Sequence, residues 1–164
     1  MLFRSFADGN LSATVGASGS TEEAFVTMAF PSSDKWYCEV TVSNIASGNA
    51  RIGIGNSATA IDSRGASGYF YQQDGQKYVL GTASAYGSSW TTNDVIGVAF
   101  DAGAGSITFY KNNTSQGAIT GISTTTQWVL GATGKATVLI LNCGQRPFTY
   151  TPPSGYVALN TYNL

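Results

Sequence analysis

The chain has 164 residues, of which 10% are charged, and its formal net charge is −1 with no histidine. A chain of this length fits one domain with a single hydrophobic core. The low and unclustered charge predicts no nucleic-acid partner, and the absence of an apolar run of about 18 residues predicts no membrane insertion. The first residues also lack the basic and apolar regions of a signal peptide.

Short stretches rich in β-branched and aromatic residues follow one another along the chain, separated by clusters of Gly, Ser, Asn and Asp. They predict roughly ten or more strands and no helix. The clearest are KWYCEVTV (35–42), ARIGIGN (50–56), GYFYQQ (68–73), KYVLG (77–81) and TVLILNC (137–143). Because many short strands hide their apolar faces by packing two sheets together, we predict an all-β sandwich of two antiparallel sheets.

The segment DVIGVAFDAGAGSITFYKNNTSQGAI (94–119) predicts a three-stranded meander. Its first strand has apolar or small residues on both alternating faces, which indicates a buried strand. DAGAG and KNN supply the Gly, Asp and Asn residues that tight reversals need. The predicted core of the domain includes Trp36, Ile54, Phe100, Phe109 and Leu141.

The last residues of the chain, from Arg146 onward, contain Pro147, Pro152 and Pro153. Proline has no backbone N–H to donate to a β-ladder. We therefore predict that this tail wraps around the sandwich instead of extending a central strand.

The order of these motifs resembles the SPRY domain family from about Lys35 to Leu159. The most specific matches are Asp94, Gly97, Asp101, Phe109, Tyr110, Lys111, Asn112 and Gly117. The resemblance implies a bent sandwich of two antiparallel sheets that binds another protein through loops at one rim, without catalysis. It also divides the chain into N-terminal strands and lead-in (1–34), a core (35–159) and a C-terminal tail (160–164).

The two ends carry a narrower resemblance. DGNLSATVG (8–16) and GQRPFTYTPPSGYVALNTYNL (144–164) are similar to SPRY copies in bacteriophage structural and tail-fibre-like proteins. This implies a virion or extracellular location, a protein or host-surface ligand, and a longer polypeptide of which the chain is a part. Residues 1–5 are then either non-native or a genuine short N-terminus.

Three polar segments are the candidate binding rim: Asn56 to Gly68, Ser84 to Trp90, and Thr133 to Lys135. Loops on a rigid sandwich commonly carry recognition, and the resemblance implies that these three converge. For Trp90 a ligand contact and packing against the sandwich are equally open. The candidate ligand-binding residues are Ile61, Asp62, Arg64, Tyr86, Trp90, Thr133 and Lys135.

Catalytic chemistry finds little support in the sequence. The absence of histidine removes Ser-His-Asp and Cys-His arrangements. Asp62 with Asp74, or Glu39 with Asp101, could form a glycosidase pair, but Asp74 and Asp101 stand in turn sequences. The resemblance favours a structural hydrogen bond for Glu39. We predict no enzyme activity, no cofactor and no metal site, since no cluster of the Asp-x-Asp-x-Asp kind is present.

The two cysteines, Cys38 and Cys143, stand in apolar strands. Free buried thiols are the favoured prediction, while a bridge would require the first and last core strands to be neighbours.

The function classes that remain are a protein-binding or host-surface-binding module, a lectin-like carbohydrate-binding sandwich, and a purely architectural fibre domain. The lectin alternative would stack a sugar on Tyr86 or Trp90.

Overall fold

The fold was analysed in a computed structural model, which describes residues 5–7, 12–15, 22–45, 49–60, 65–160 and 162–163. These residues form fourteen strands and no α-helix. The strands are β1 (Ser5–Ala7), β2 (Ser12–Val15), β3 (Glu22–Ala29), β4 (Lys35–Ile45), β5 (Arg51–Asn56), β6 (Tyr69–Gln72), β7 (Gln76–Val79), β8 (Thr82–Ala85), β9 (Val95–Asp101), β10 (Ser106–Lys111), β11 (Thr114–Thr120), β12 (Trp128–Gly134), β13 (Thr137–Asn142) and β14 (Val157–Ala158).

Two sheets divide these strands. The first, sheet A, has the order β1-β2-β13-β4-β9-β10-β11, with β14 added to β4, and the second, sheet B, has the order β3-β12-β5-β6-β7-β8. All neighbouring strands are antiparallel except β14, which pairs parallel with Trp36 and Tyr37 of β4. The predicted all-β sandwich of two antiparallel sheets is confirmed.

The predicted meander is confirmed as β9, β10 and β11. β9 is buried from Val95 to Phe100 and pairs with β4 on one side and β10 on the other. The β10–β11 turn places Asn112 and Asn113 at φ of 46° and 68°, the left-handed region that Asn tolerates better than most residues. The sequence therefore set both the buried strand and the turn that follows it.

The core lies between the two sheets. Of the predicted core residues, Trp36, Ile54, Phe100 and Phe109 are at most 2% exposed. Leu141 is only partly buried, so this prediction is wrong. Its side chain lines a cavity between β13 and β3, where the two sheets leave unfilled space.

The segment that begins at Arg146 wraps the sandwich as predicted only up to Tyr156. Val157 and Ala158 pair with the central strand β4, contrary to the prediction. The reason is geometric: β13 pairs with β4 only from Glu39 onward, which leaves the same edge open at Trp36 and Tyr37.

The carboxylate of Glu39 fastens this tail to the sheet. Glu39 is 1% exposed and accepts hydrogen bonds from the backbone N–H groups of Thr149 and Tyr150 at 2.7 and 2.8 Å. The Tyr37 hydroxyl donates to the same carboxylate at 3.3 Å. The predicted structural role of Glu39 is confirmed.

Both cysteines are buried and free. Cys38 lies in β4, Cys143 directly follows the neighbouring strand β13, and the two Sγ atoms lie 3.0 Å apart.

No helix in the described part of the chain is long and apolar enough to span a membrane. Within the same residues, no group of three or more His, Cys, Asp or Glu side chains could hold a metal ion.

Candidate interaction surface

The β7–β8 hairpin forms one edge of sheet B and leads into the segment 86–91, which we call the rim loop. The hairpin turns at Leu80 and Gly81, and the N–H of Leu80 donates to the carbonyl of Gly68 at 2.9 Å. All four residues of β8 are exposed, and their small side chains leave the neighbouring β7 accessible. The hairpin therefore carries the rim loop at the border between the two sheets.

The rim loop is bonded to sheet B through its backbone. The N–H groups of Tyr86 and Gly87 both donate to the carbonyl of Gly75, at 3.1 and 2.9 Å, and the N–H of Trp90 donates to Gln73 at 2.9 Å. Gly75 and Gln73 belong to the turn between β6 and β7. The rim loop thus follows the β6–β7 turn along most of its length.

Side chains bond the rim loop to sheet A as well. The Gln116 side chain on β11 accepts from the N–H of Ser88 at 2.8 Å, and Lys111 on β10 donates to the carbonyl of Ser89 at 2.7 Å. Lys111 also forms an ion pair with Asp94 at 3.4 Å. Burial opposes ionisation of Asp94, but the hydrogen bonds from Thr91 and Asn112 and the charge of Lys111 outweigh it and lower the pKa of Asp94.

Aromatic packing holds the loop from beneath. The Tyr86 ring lies edge-to-face against Tyr71 and Phe109, with centroids 5.4 and 6.2 Å apart. The Tyr86 hydroxyl donates to the carbonyl of Gly117 and accepts from the N–H of Phe109 at 3.3 Å. Burial raises the pKa of Tyr86 to about 12, although the Phe109 hydrogen bond opposes this shift. Tyr86 is therefore partly exposed but fixed in position.

Trp90 is a core residue and not a surface contact. It is 3% exposed and packs edge-to-face against Tyr71 at 6.1 Å between ring centroids. Of the two roles that the sequence left open for Trp90, the structure shows packing, so its place among the candidate ligand-binding residues is wrong. The bonds of the rim loop to both sheets draw the end of this polar segment into the sandwich. Its indole N–H has no hydrogen-bond partner among the residues that the structure describes.

A second group of side chains, which the sequence did not indicate, lies on the outer face of sheet B beside the rim loop. Ile52 and Ile54 of β5 belong to the core, so the alternation of the strand turns Arg51 outward. The group consists of Arg51, Gln72, Asp74, Gln76 and Tyr78, and we call it the outer-face cluster.

Hydrogen bonds and ring stacking order the outer-face cluster. The Arg51 guanidinium lies 3.5 Å from the centroid of the Tyr78 ring, and its Nε donates to Gln72 at 2.8 Å. Gln72 donates to Asp74 at 2.8 Å, and Gln76 donates to the same carboxylate oxygen at 3.0 Å. Among the described residues, the two terminal guanidinium nitrogens of Arg51 have no hydrogen-bond partner. Four N–H donors of Arg51 are therefore without a partner among the described residues.

Residues 65–68 cover the other end of this outer face. The Phe70 ring is 0% exposed, with Phe25 edge-to-face at 6.3 Å. A Cβ added at Gly68 would lie 2.5 Å from the Phe70 ring, so only glycine lets this turn pack so closely. The outer face is consequently covered near Phe70, whereas Arg51 and Tyr78 are partly exposed and Gln72 beside them is buried.

The remaining predicted site residues fall in different places. Ile61, Asp62 and Arg64 lie outside the described residues. Thr133 is 2% exposed and lies within β12, so its prediction as a rim residue is wrong; the strand continues through small residues to Gly134. Lys135 is exposed in the turn between β12 and β13.

The described parts of the three predicted loops do not all meet. Gly65 donates to Glu23 at 3.0 Å and lies beside Thr133, which joins the first loop to β12. Lys135 and the rim loop are at the same end of sheet B, but β5, β6 and β7 separate β12 from β8. At about 4.8 Å per strand, this places them roughly 19 Å apart. The outer-face cluster occupies the space between them.

Comparison with solved structures places this fold among SPRY domains. The crystal structure of the SPRY domain of human HERC1 has a TM-score of 0.74 and 15% identity, covering 88% of this chain and 94% of that one. A crystal structure of a human SPRY domain has a TM-score of 0.69 and 18% identity, covering 87% and 96%. These identities show the fold alone.

The family assignment rests on the sequence. A search of curated protein sequences found no significant match. The sequence model of the SPRY domain matches residues 35–132, which is more than half of the chain. SPRY domains are generally protein-interaction modules without catalytic activity. The chain therefore belongs to the SPRY domain family.

Proposed function

We propose that this domain binds a protein partner through the outer-face cluster together with the exposed side of the rim loop. The observation that carries this proposal is Arg51, whose guanidinium lies 3.5 Å from the centroid of the Tyr78 ring and has four N–H donors without a partner among the described residues. Arg and Tyr are enriched among the residues that dominate protein–protein binding energy.

The surface is ordered before any partner arrives. Gln72, Asp74 and Gln76 are linked by hydrogen bonds, and the rim loop is bonded to both sheets. A preordered surface loses less conformational freedom on binding, so more of the contact energy appears as affinity.

The chemistry of the surface indicates the kind of ligand. Arg51 presents donors that suit a carboxylate or a row of backbone carbonyls. Exposed Asp74 supplies acceptors for partner N–H groups. The proposal is therefore a peptide segment that carries at least one Asp or Glu side chain beside an apolar group that packs on Tyr78.

Selection from a displayed library of random peptides tests this function. The immobilised domain is expected to enrich acidic peptides, and Arg51→Ala and Tyr78→Ala should each weaken their binding at least tenfold. Arg146→Ala is the matched control, because Arg146 is exposed and follows the far end of β13. Equal binding by all three variants would place the site elsewhere.

The lectin alternative receives no support from the aromatic residues on which it depended. Trp90 is buried, and the Tyr86 ring contacts Tyr71 and Phe109. Sugar stacking needs an exposed aromatic face. A glycan array with the same immobilised domain separates the two functions, and we expect no specific glycan signal.

The proposed setting is a bacteriophage structural protein with a host-surface ligand, as the similarity of the two chain ends implies. Genes for tail or capsid proteins beside the coding sequence would support this setting. Neighbouring genes with no virion function would contradict it while leaving the binding surface unaffected.

A further inference from the structure

The pairing of β4 with β13 places Cys38 and Cys143 side by side. The ladder joins Asn142 to Glu39, so the next residue on each strand brings Cys143 opposite Cys38 on the inward face. Their Sγ atoms are 3.0 Å apart. Directly opposed residues on antiparallel strands have Cβ atoms about 4.5–5.5 Å apart, close to the 3.5–4.5 Å that a disulfide requires.

A cavity gives one of the two thiols a route to solvent. As bounded by the described residues, it has a volume of about 460 Å³ and lies between β3 and β12 of one sheet and β2, β13 and β4 of the other. Cys143 lines this cavity and Cys38 does not. Its wall is mainly apolar and includes Val26, Met28 and Leu141, which are partly exposed.

The two thiols consequently differ in reactivity. Cys38 is 0% exposed, and burial together with the hydrogen bond to Cys143 raises the pKa of the Cys38 thiol well above its ordinary value. A protonated buried thiol is a poor nucleophile toward an oxidant. Cys143 is therefore the position that an oxidant meets first.

We propose that Cys38 and Cys143 form an oxidant-sensitive modification site, in which a small uncharged peroxide reaches Cys143 through the cavity and the pair closes to a disulfide.

The reaction proceeds in two steps. The Cys143 sulfur attacks one oxygen of hydrogen peroxide, the O–O bond breaks, and water leaves with the thiol proton, giving a sulfenic acid. The Cys38 sulfur, held 3.0 Å away, then attacks the Cys143 sulfur while its proton passes to the departing oxygen, so the S–O bond breaks and a second water leaves. The two thiols lose two electrons in total, and the peroxide gains them.

The bridge would join the central strand β4 to the start of the C-terminal tail. It would close a loop of 105 residues in the unfolded chain. Loops of this length give disulfides a large stabilising effect. The apparent melting temperature should therefore rise by about 5 °C or more on oxidation, and dithiothreitol should reverse the rise.

Mass spectrometry of the folded chain after hydrogen peroxide treatment is the direct test. We expect the loss of two hydrogens per chain and a cross-linked peptide pair containing Cys38 and Cys143. Cys38→Ala should leave a sulfenic acid on Cys143 that dimedone traps, whereas Cys143→Ala should leave Cys38 unlabelled.

Three outcomes would overturn the proposal. The first is further oxidation of wild-type Cys143 to sulfinic acid without a cross-linked peptide. The second is dimedone labelling of Cys38 in the Cys143→Ala variant at the rate seen for Cys143. The third is oxidation of the pair by glutathione disulfide as fast as by peroxide, because that bulky charged reagent does not fit an apolar cavity.

Discussion

The meander of β9 to β11 and the segment from Gln72 to Thr91 use similar residues but are stabilised differently. In the meander, each strand pairs with the next one along the chain through short turns. In the second segment, β7 and β8 pair locally, but the rim loop depends on Gln116, Lys111 and Phe109 from the meander. Local pattern is sufficient for the first region, and the second requires the completed fold.

Phe109→Ala should have the largest effect on stability, because Phe109 lies in the meander and its ring also packs against the other segment. It is 0% exposed and contacts Tyr71 and Tyr86. We expect a loss of about 3–5 kcal/mol in the free energy of unfolding, measured by urea denaturation. Thr114→Ala on exposed β11 is the control and should change stability by less than about 0.5 kcal/mol. A loss below about 1 kcal/mol for Phe109→Ala would contradict the assigned core.

Trp90→Ala distinguishes a rim loop fixed by the core from one that is free to contact a ligand. Removing the buried indole should lower the free energy of unfolding by about 3 kcal/mol. Trp90→Phe should cost less, because it keeps most of the apolar contact and removes an N–H without a partner among the described residues. An alanine variant of normal stability that fails to bind peptide would instead make Trp90 a ligand contact.

Glu39→Gln tests whether the tail depends on a distant residue in the way that the rim loop does. The carboxylate accepts two backbone N–H groups, and an amide has only one oxygen to offer them. We expect a loss of about 2 kcal/mol in thermal or urea unfolding, the range for hydrogen bonds to a charged group. Proteolysis of the variant should cut first between Arg146 and Tyr156. Unchanged stability would mean that the pairing of β14 with β4 positions this segment without the Glu39 carboxylate.

Tyr86→Phe should have the smallest effect, about 1 kcal/mol at neutral pH, because it removes the hydroxyl shared by Gly117 and Phe109. Tyr86 has a pKa of about 12 when folded and near 10 when unfolded, so the folded chain holds this proton more tightly. This contribution is complete below about pH 10 and is lost as the pH rises through about 12. The difference between wild type and Tyr86→Phe should shrink over that window. If the stability difference between wild type and Tyr86→Phe stays constant up to about pH 12, the pKa of Tyr86 is not raised by folding.

Periodicity and turn chemistry predicted most of the fold. The sequence predicted that both faces of β9 are buried and that Asn residues form the β10–β11 turn. The family resemblance also predicted the structural role of Glu39. The sequence did not predict the burial of Trp90, because that burial depends on contacts with Gln73 and Tyr71. The positions of these two residues follow only from the strand order of sheet B.

The sequence did not predict the outer-face cluster, for the same reason. Arg51 and Tyr78 belong to strands β5 and β7, which are separated by β6 in the sheet. Their stacking needs the registers of two strand pairs, Arg51 with Gln72 and Phe70 with Tyr78. The one available signal was an Arg among apolar residues in a predicted strand.

Backbone hydrogen exchange of the domain, free and bound to a selected acidic peptide, tests the proposed binding surface most directly. Binding at the outer-face cluster and rim loop should slow exchange at residues 72–79 and 85–89 and leave the meander from Val95 to Thr120 unchanged. Slowed exchange confined to β10 and β11, with residues 72–79 unaffected, would contradict the proposed surface.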